Sequence, residues 1–258
     1  MIELRLFDNG LLGYKESSVT KQFTGSDNEP RYLKNLQIKP TDWYYRTNSI
    51  SYIYNSTGHR CHEIDQIDFD NYILFAGDSH AEGVGLELNK TFAYLTSQRL
   101  GLSYYNLGLG CTGIDYMLFN LVSWISKYPK PKFVFSYWSD PTRFLKLTVD
   151  KETLSPIMVD QYTGDNDARI LVYGEMSGYF STKHWLAASL LKTVFDNHMI
   201  PFYNFYIGSP NRHYNSKIIE PILPTFEFDH ARDDHHGIKT HNAISDVLCE
   251  KFQSVSTD

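Results

Sequence analysis

The triplet Gly77-Asp78-Ser79 follows directly on the apolar run Tyr72–Phe75, and His80, Gly83 and Gly85 come after it. A serine at a sharp strand-to-helix turn carries its hydroxyl at the edge of a sheet, where neighbouring backbone N–H groups can face a developing oxyanion. A free hydroxyl is a poor nucleophile and needs an adjacent base. The chain offers one near its other end, in Ala231-Arg232-Asp233-Asp234-His235-His236-Gly237. An aspartate three residues before a histidine in a loop can accept a hydrogen bond from the ring, which fixes the tautomer and stabilises the imidazolium formed when the serine proton moves. Asp233 and His236 have that spacing, with His235 as the substitute.

These groups need elements to carry them. From residue 70 the sequence alternates strand and helix. Strands are predicted at Tyr72–Phe75, Leu102–Asn106, Phe133–Trp138 and Pro201–Tyr206. Helices are predicted at Thr91–Leu100, Ile114–Ser126, Tyr179–Asn197 and Thr240–Phe252. Short, continuously apolar strands between helices imply parallel βαβ units with both sheet faces covered. Ligands in such folds bind beyond the carboxyl ends of the strands, where Ser79 and the 231–237 loop fall. The expected architecture is a three-layer α/β/α sandwich with a mostly parallel sheet. Residues 1–69 read as a β-rich N-terminal segment or arm, with short strands and a turn at Asn55–Gly58 and no strong helix. Residues 70–258 read as the catalytic domain, interrupted at 145–170 by a hairpin or lid.

The Gly-Asp-Ser block and the Asp-x-x-His block before the closing helix resemble the SGNH (GDSL-like) hydrolases over about residues 70–252. Asn55-Ser56-Thr57-Gly58-His59-Arg60 also resembles a stretch that precedes the first block in some members. The resemblance implies a serine esterase acting on small acyl esters, such as O-acetyl groups on carbohydrate, with Ser79, His236 and Asp233 as its triad and no cofactor or metal. It places an oxyanion-hole backbone N–H at Cys111, or at Gly110 if shifted by one, after Asn106. It places Ser139 where the family has an asparagine side chain. Gly237 follows His236 directly, whereas His235 would restore the family's usual distance to Gly237 and His241 at the expense of the Asp-x-x-His spacing. An O-acyltransferase would use the same site. The departures at Cys111 and Ser139 motivate a second class, a non-catalytic structural or glycan-binding module of the same fold. Arg143 and Trp138 follow the third strand and are candidates for substrate contact, with a salt bridge and a core position as their alternatives.

His80 and the cluster His230, His235, His236 and His241 raise a metal-dependent phosphoesterase, but no second Gly-Asp block or Gly-Asn-His-Glu segment accompanies them. The acidic run Glu63, Asp65, Asp68 and Asp70 reads as a solvated loop. Bulk composition narrows the remaining classes. The chain has 258 residues, 42% of them hydrophobic, with net charge -6 and no basic run, which argues against nucleic acid as a partner. No stretch approaches the roughly 18–20 apolar residues of a membrane span. A cytoplasmic protein acting on a small-molecule or glycan ester is expected, with packaging or export by another route left open. The three cysteines are too few for a disulfide scaffold.

Overall fold

The computed structural model describes residues 3–141, 143–147, 154–158, 178–207, 218–222 and 229–256. In chain order the N-terminal part holds β1 (Leu4–Leu6), β2 (Leu12–Tyr14), β3 (Val19–Lys21), α1 (Glu29–Ile38) and β4 (Tyr52–Tyr54). There follow β5 (Tyr72–Ala76), α2 (Ser79–Glu82), α3 (Phe92–Leu100), β6 (Ser103–Asn106), α4 (Ile114–Lys127), β7 (Phe133–Tyr137), β8 (Arg143–Leu147) and β9 (Leu154–Met158). The chain closes with α5 (Tyr179–Asn197), β10 (Phe202–Ile207), β11 (Ile219–Ile222) and α6 (Ile238–Ser256).

The central sheet has five strands in the order β11-β10-β7-β5-β6, and every pairing is parallel. Every residue of β5 and of β7 is buried, as a sheet covered on both faces requires. Helix α3 packs on α6 and α4 on α5, so the helices pair up as the outer layers of an α/β/α sandwich. The helical faces follow the sequence pattern: α4 buries Met117, Leu121 and Trp124, and Gly101 ends α3 in a left-handed conformation. The strand order reverses between β5 and its two neighbours, β6 and β7. That reversal opens a crevice at the carboxyl ends of these strands, and Ser79 lies there.

Three features differ from the sequence-based expectations. The segment Ile219–Ile222 forms a fifth parallel strand; its sequence, Ile-Glu-Pro-Ile, has neither alternation nor an apolar run, and Pro221 is accommodated because β11 is an edge strand. Helix α1 lies in the region expected to lack one. Its start signals are local: Asn28 caps it by accepting from the Arg31 N–H at 3.0 Å, and Glu29 and Pro30 open the first turn. Its apolar pattern is inverted, since Leu33 and Ile38 are exposed while Asn35 is buried and donates to the Arg232 carbonyl. A periodicity argument has nothing to find there. Trp138, a candidate for substrate contact with a core position as its alternative, is buried in the main core with its ring edge-on to His184 at 5.5 Å, its N–H continuing the ladder to Phe205.

The N-terminal part is otherwise built from short strands. β3 and β4 form a two-stranded antiparallel pair. β1 and β2 join β8 and β9 in a four-stranded antiparallel sheet, so the described part of 145–170 includes a hairpin and the remainder of that insertion lies outside the described residues. The buried Asn120 of α4 makes two 2.8 Å hydrogen bonds to the backbone of Leu12, tying this sheet to the sandwich. A second core, with Tyr52, Tyr54, Leu86, Leu109 and Tyr116, fills the space between the N-terminal strands and the crevice. Among the described residues no helix is long and apolar enough to cross a membrane.

Candidate active site

Ser79 opens the four-residue helix α2 straight after the Gly77 turn, and Asp78 caps that helix by accepting from the His80 N–H at 2.9 Å. The turn is braced from outside the sheet by the 55–60 segment. Asn55 Oδ1 accepts from the N–H groups of Thr57 and His59. That turn delivers Arg60, whose guanidinium donates to the carbonyls of Gly83 and Leu86 at 2.7 Å each while lying over the Tyr52 ring.

The loop 229–237 supplies the other half of the site. His235 Nε2 lies 3.0 Å from Ser79 Oγ, and His235 Nδ1 lies 2.6 Å from Asp233 Oδ2. The structure thus brings Ser79, His235 and Asp233 into one hydrogen-bonded line, and the histidine at its centre is His235 where the spacing favoured His236. The cause is local. Asp234 takes a left-handed conformation with φ 71°, which curls the chain so that a histidine two residues on returns to the Asp233 carboxylate. His236 is carried to the other side, where it bridges to the His230 backbone and lays its ring 4.4 Å from that of His80. The sequence held one hint of this, the distance from His235 to Gly237.

The electrostatics agree with the geometry. Burial alone would lower the His235 pKa, but its hydrogen bond to the Asp233 carboxylate and that charge outweigh it and raise the value above the ordinary histidine range. Asp233 responds in kind. Burial opposes its charge, yet the His235 contact holds the carboxyl below its usual value, helped by a hydrogen bond from Ser26 Oγ at 2.7 Å. His236 is pushed down to about 4 by burial and by the nearby His235, which together outweigh the opposing charge of Asp229. His80 and His241 are lowered by burial in the same way. Among the described residues no group of three or more His, Cys, Asp or Glu side chains is arranged to hold a metal ion.

A cavity of about 170 Å³ opens at Ser79, walled by Glu82, Val84, Cys111, Arg143 and His235, with Gly110 and the N-terminal residues Thr24, Gly25 and Ser26 completing it. The two candidate backbone donors differ. The Gly110 N–H is taken, donating at 2.6 Å to Glu82 Oε2. Cys111 has the left-handed φ of 61° that glycine more often adopts. Ser139 is buried and is not among the residues lining the cavity. Arg143 does line it, and its Nη1 donates at 2.8 Å to Asp78 Oδ2.

Residues that sequence reasoning did not single out complete the site. Glu82 is buried between the Tyr54 hydroxyl and the Gly110 N–H, and burial raises its pKa. Asp27 forms a bidentate pair with Arg232, with Nε to Oδ1 at 2.9 Å and Nη2 to Oδ2 at 2.7 Å, and Tyr52 donates to the same carboxylate. The Arg232 guanidinium lies over the rings of both Phe23 and Tyr32. Gly85 packs so closely that a Cβ there would stand 2.3 Å from Asp233 Oδ1. No local pattern signals these residues, because their partners are distant in the chain, 28 positions away for Glu82 and 205 for the Asp27–Arg232 pair. A wider cavity of about 370 Å³, lined by Tyr14, Lys21, Phe23, Asp27, Asn28 and Cys111, adjoins the first through the shared Thr24, Gly25 and Cys111.

Neither a family model nor a curated protein matches the sequence. Similar solved structures include a carbohydrate esterase with an active site of divergent catalytic and non-catalytic binding functions (TM-score 0.45, 11% identity, 71% of this chain and 65% of that one). An acetyl xylan esterase from the rumen bacterium Butyrivibrio proteoclasticus aligns with a TM-score of 0.46 at 12% identity, over 72% of this chain and 64% of that one. A putative lipolytic protein of the G-D-S-L family from Desulfitobacterium hafniense aligns with a TM-score of 0.45 at 9% identity, over 70% of this chain and 99% of that one. The chain thus spans less than two thirds of the length of the first two.

Proposed function

We propose that this protein is a serine esterase of the SGNH type, whose two parts are an N-terminal arm (1–69) and a catalytic domain (70–258). The hydrogen-bonded line from Ser79 through His235 to Asp233 carries this reading. His235 Nε2 takes the Ser79 proton as Oγ attacks the ester carbonyl, and the carbonyl electron pair moves onto oxygen. Asp233 holds the ring in the productive tautomer and stabilises the imidazolium. Collapse expels the alcohol, which receives the proton from His235 and leaves an acyl-enzyme on Ser79. Water then repeats the sequence in reverse roles. The N–H groups of Ser79 and Cys111 face the developing oxyanion, and Gly110 serves instead to seat the loop on Glu82. No metal or organic cofactor enters these steps.

A cavity of about 170 Å³ suits a small acyl group such as acetyl. The adjoining groove, with Tyr14 and Phe23 among polar side chains, suits the alcohol portion of a carbohydrate ester. Incubation with 4-nitrophenyl acetate tests the assignment. Turnover by the wild type that disappears in Ser79→Ala, together with labelling of Ser79 by a fluorophosphonate, is expected. Turnover unchanged by that substitution would overturn it.

A further inference from the structure

A side-chain donor for the oxyanion was expected at Ser139, yet Ser139 does not line the Ser79 cavity, and the Gly110 N–H is engaged by Glu82. One cationic side chain does line that cavity. Arg143 is largely buried, its Nη1 is fixed on Asp78, and its Nε is buried with no hydrogen-bond partner among the described residues. The backbone beneath it is clamped. Lys183 Nζ donates to the Arg143 carbonyl at 2.6 Å, and the Leu145 N–H donates to Asp115. Gly113 allows the close approach, since a Cβ there would meet the Arg143 carbonyl oxygen at 2.6 Å. The guanidinium is therefore held from both ends, by its own backbone and by the residue that precedes the nucleophile.

The charges around the cavity sharpen the point. Acidic groups stand close to Ser79: Glu82 lines its cavity, Asp78 precedes it in the chain, and Asp233 lies behind His235. An oxyanion forming among acidic groups in a partly enclosed site needs a cation or strong donors close by. Arg143 is the permanent cation among the cavity's lining residues, beside the His235 imidazolium that forms only as Ser79 reacts.

We propose that Arg143 donates a hydrogen bond to the oxyanion of the tetrahedral intermediate, supplying the side-chain contact expected of Ser139. The step leaves the Arg143 protons in place: the Ser79 Oγ–carbon bond forms, the carbonyl pair moves onto oxygen, the Ser79 proton goes to His235, and the guanidinium stabilises the new charge. This rests on the esterase reading and makes Arg143 a catalytic residue in addition to any part in binding.

Kinetics with 4-nitrophenyl acetate, a neutral substrate, test it. Arg143→Met is expected to lower kcat by about 10²–10³-fold, the loss seen when an oxyanion donor is removed, with KM changed only a few-fold. Arg143→Ala should regain part of its kcat in millimolar guanidinium chloride, and not in equal sodium chloride. A kcat within about threefold of wild type, or a loss carried wholly by KM as for uniform binding, would overturn the proposal. If the Met and Ala variants do not fold, Arg143→Lys decides. An ammonium point charge cannot hold Asp78 and reach the oxyanion in the planar geometry of a guanidinium, so a tenfold or greater fall in kcat is expected, and an unchanged kcat would overturn the proposal. The Ser79→Ala control separates the two failures. If wild-type turnover does not depend on Ser79, the esterase reading fails. If it does and the Arg143 variants match wild type, only the role of Arg143 fails.

Discussion

The two halves of the proposed triad are supported in opposite ways. Ser79 is placed by the apolar sheet: β5 and β7 are buried along their whole length, and Ser79 stands where the chain turns after β5. Asp233 and His235 are placed by polar contacts from the N-terminal arm, through Ser26 on Asp233, Asp27 on Arg232 and Asn35 on the Arg232 carbonyl. Close packing fixes position by steric exclusion and tolerates few alternatives. A buried charged network fixes position only while every partner is present. Damage to the sheet should therefore act through stability, and damage to the arm should also show in catalysis.

The sharpest break separates two adjacent residues. His235→Ala should reduce kcat toward 4-nitrophenyl acetate by roughly 10⁴–10⁶-fold, the scale of losing a triad member. His236→Ala should change it less than about tenfold. Equal losses would show that the curl at Asp234 does not select between them.

Next in size is Asp27→Ala. It leaves the Arg232 guanidinium buried and unpaired, and a loss of about 3–5 kcal/mol is expected from such a break. Urea denaturation measures it. A loss within 1 kcal/mol would mean the arm does not hold the loop through this pair.

The pH dependence distinguishes the halves again. His236, His241 and His80 have pKa values lowered by burial, to about 4 and about 3 for the first two. Between those values and the unfolded value of 6.5 the unfolded chain binds more protons, so stability falls as pH drops through this window, by up to about 1.4 kcal/mol per unit for each histidine. His235 is raised instead, so its stabilisation is complete below its unfolded value and is lost as pH rises through its folded pKa. His59 is likewise lowered to about 3 by burial, so one residue set against four leaves the fall toward acid dominant, and melting temperatures at pH 7 and pH 5 test it. For catalysis, His235 must be neutral, so the acid limb of kcat/KM should lie above 6.5. A limb below that value would contradict the Asp233 contact.

The smallest effect is expected at Ser26→Ala. Ser26 is a positioning residue whose hydroxyl stabilises the charged Asp233. Its loss should lower kcat several-fold and move the acid limb toward more alkaline pH, since the Asp233 carboxylate, without that donor, is more basic and holds the His235 proton more strongly. A stability loss with an unmoved limb would assign Ser26 a merely structural role.

The sandwich was legible in the sequence because its strands are continuous apolar runs and its helices carry 3.6-residue periodicity. Ser79 was legible because a glycine-rich turn after a buried strand is a local pattern. The choice between His235 and His236 was not, since it depends on the backbone angle of Asp234. Helix α1 was missed for a related reason. Helix α1 buries Asn35 and exposes Leu33, so its placement follows a polar contact with Arg232 instead of an apolar face. Trp138 was open to either reading from the sequence, and its burial followed from one more ladder hydrogen bond to Phe205.

The pairing of residues 26 and 27 with residues 233 and 232 has a consequence in time. These contacts join points separated by more than 200 residues, and loops of that length close late because their entropy must be met before the contact rewards it. A refolding chain should regain its helical signal and its tryptophan burial before it regains turnover. On a ribosome Ser79 would stand in place yet idle until residues 232–235 emerged to meet residues 26 and 27.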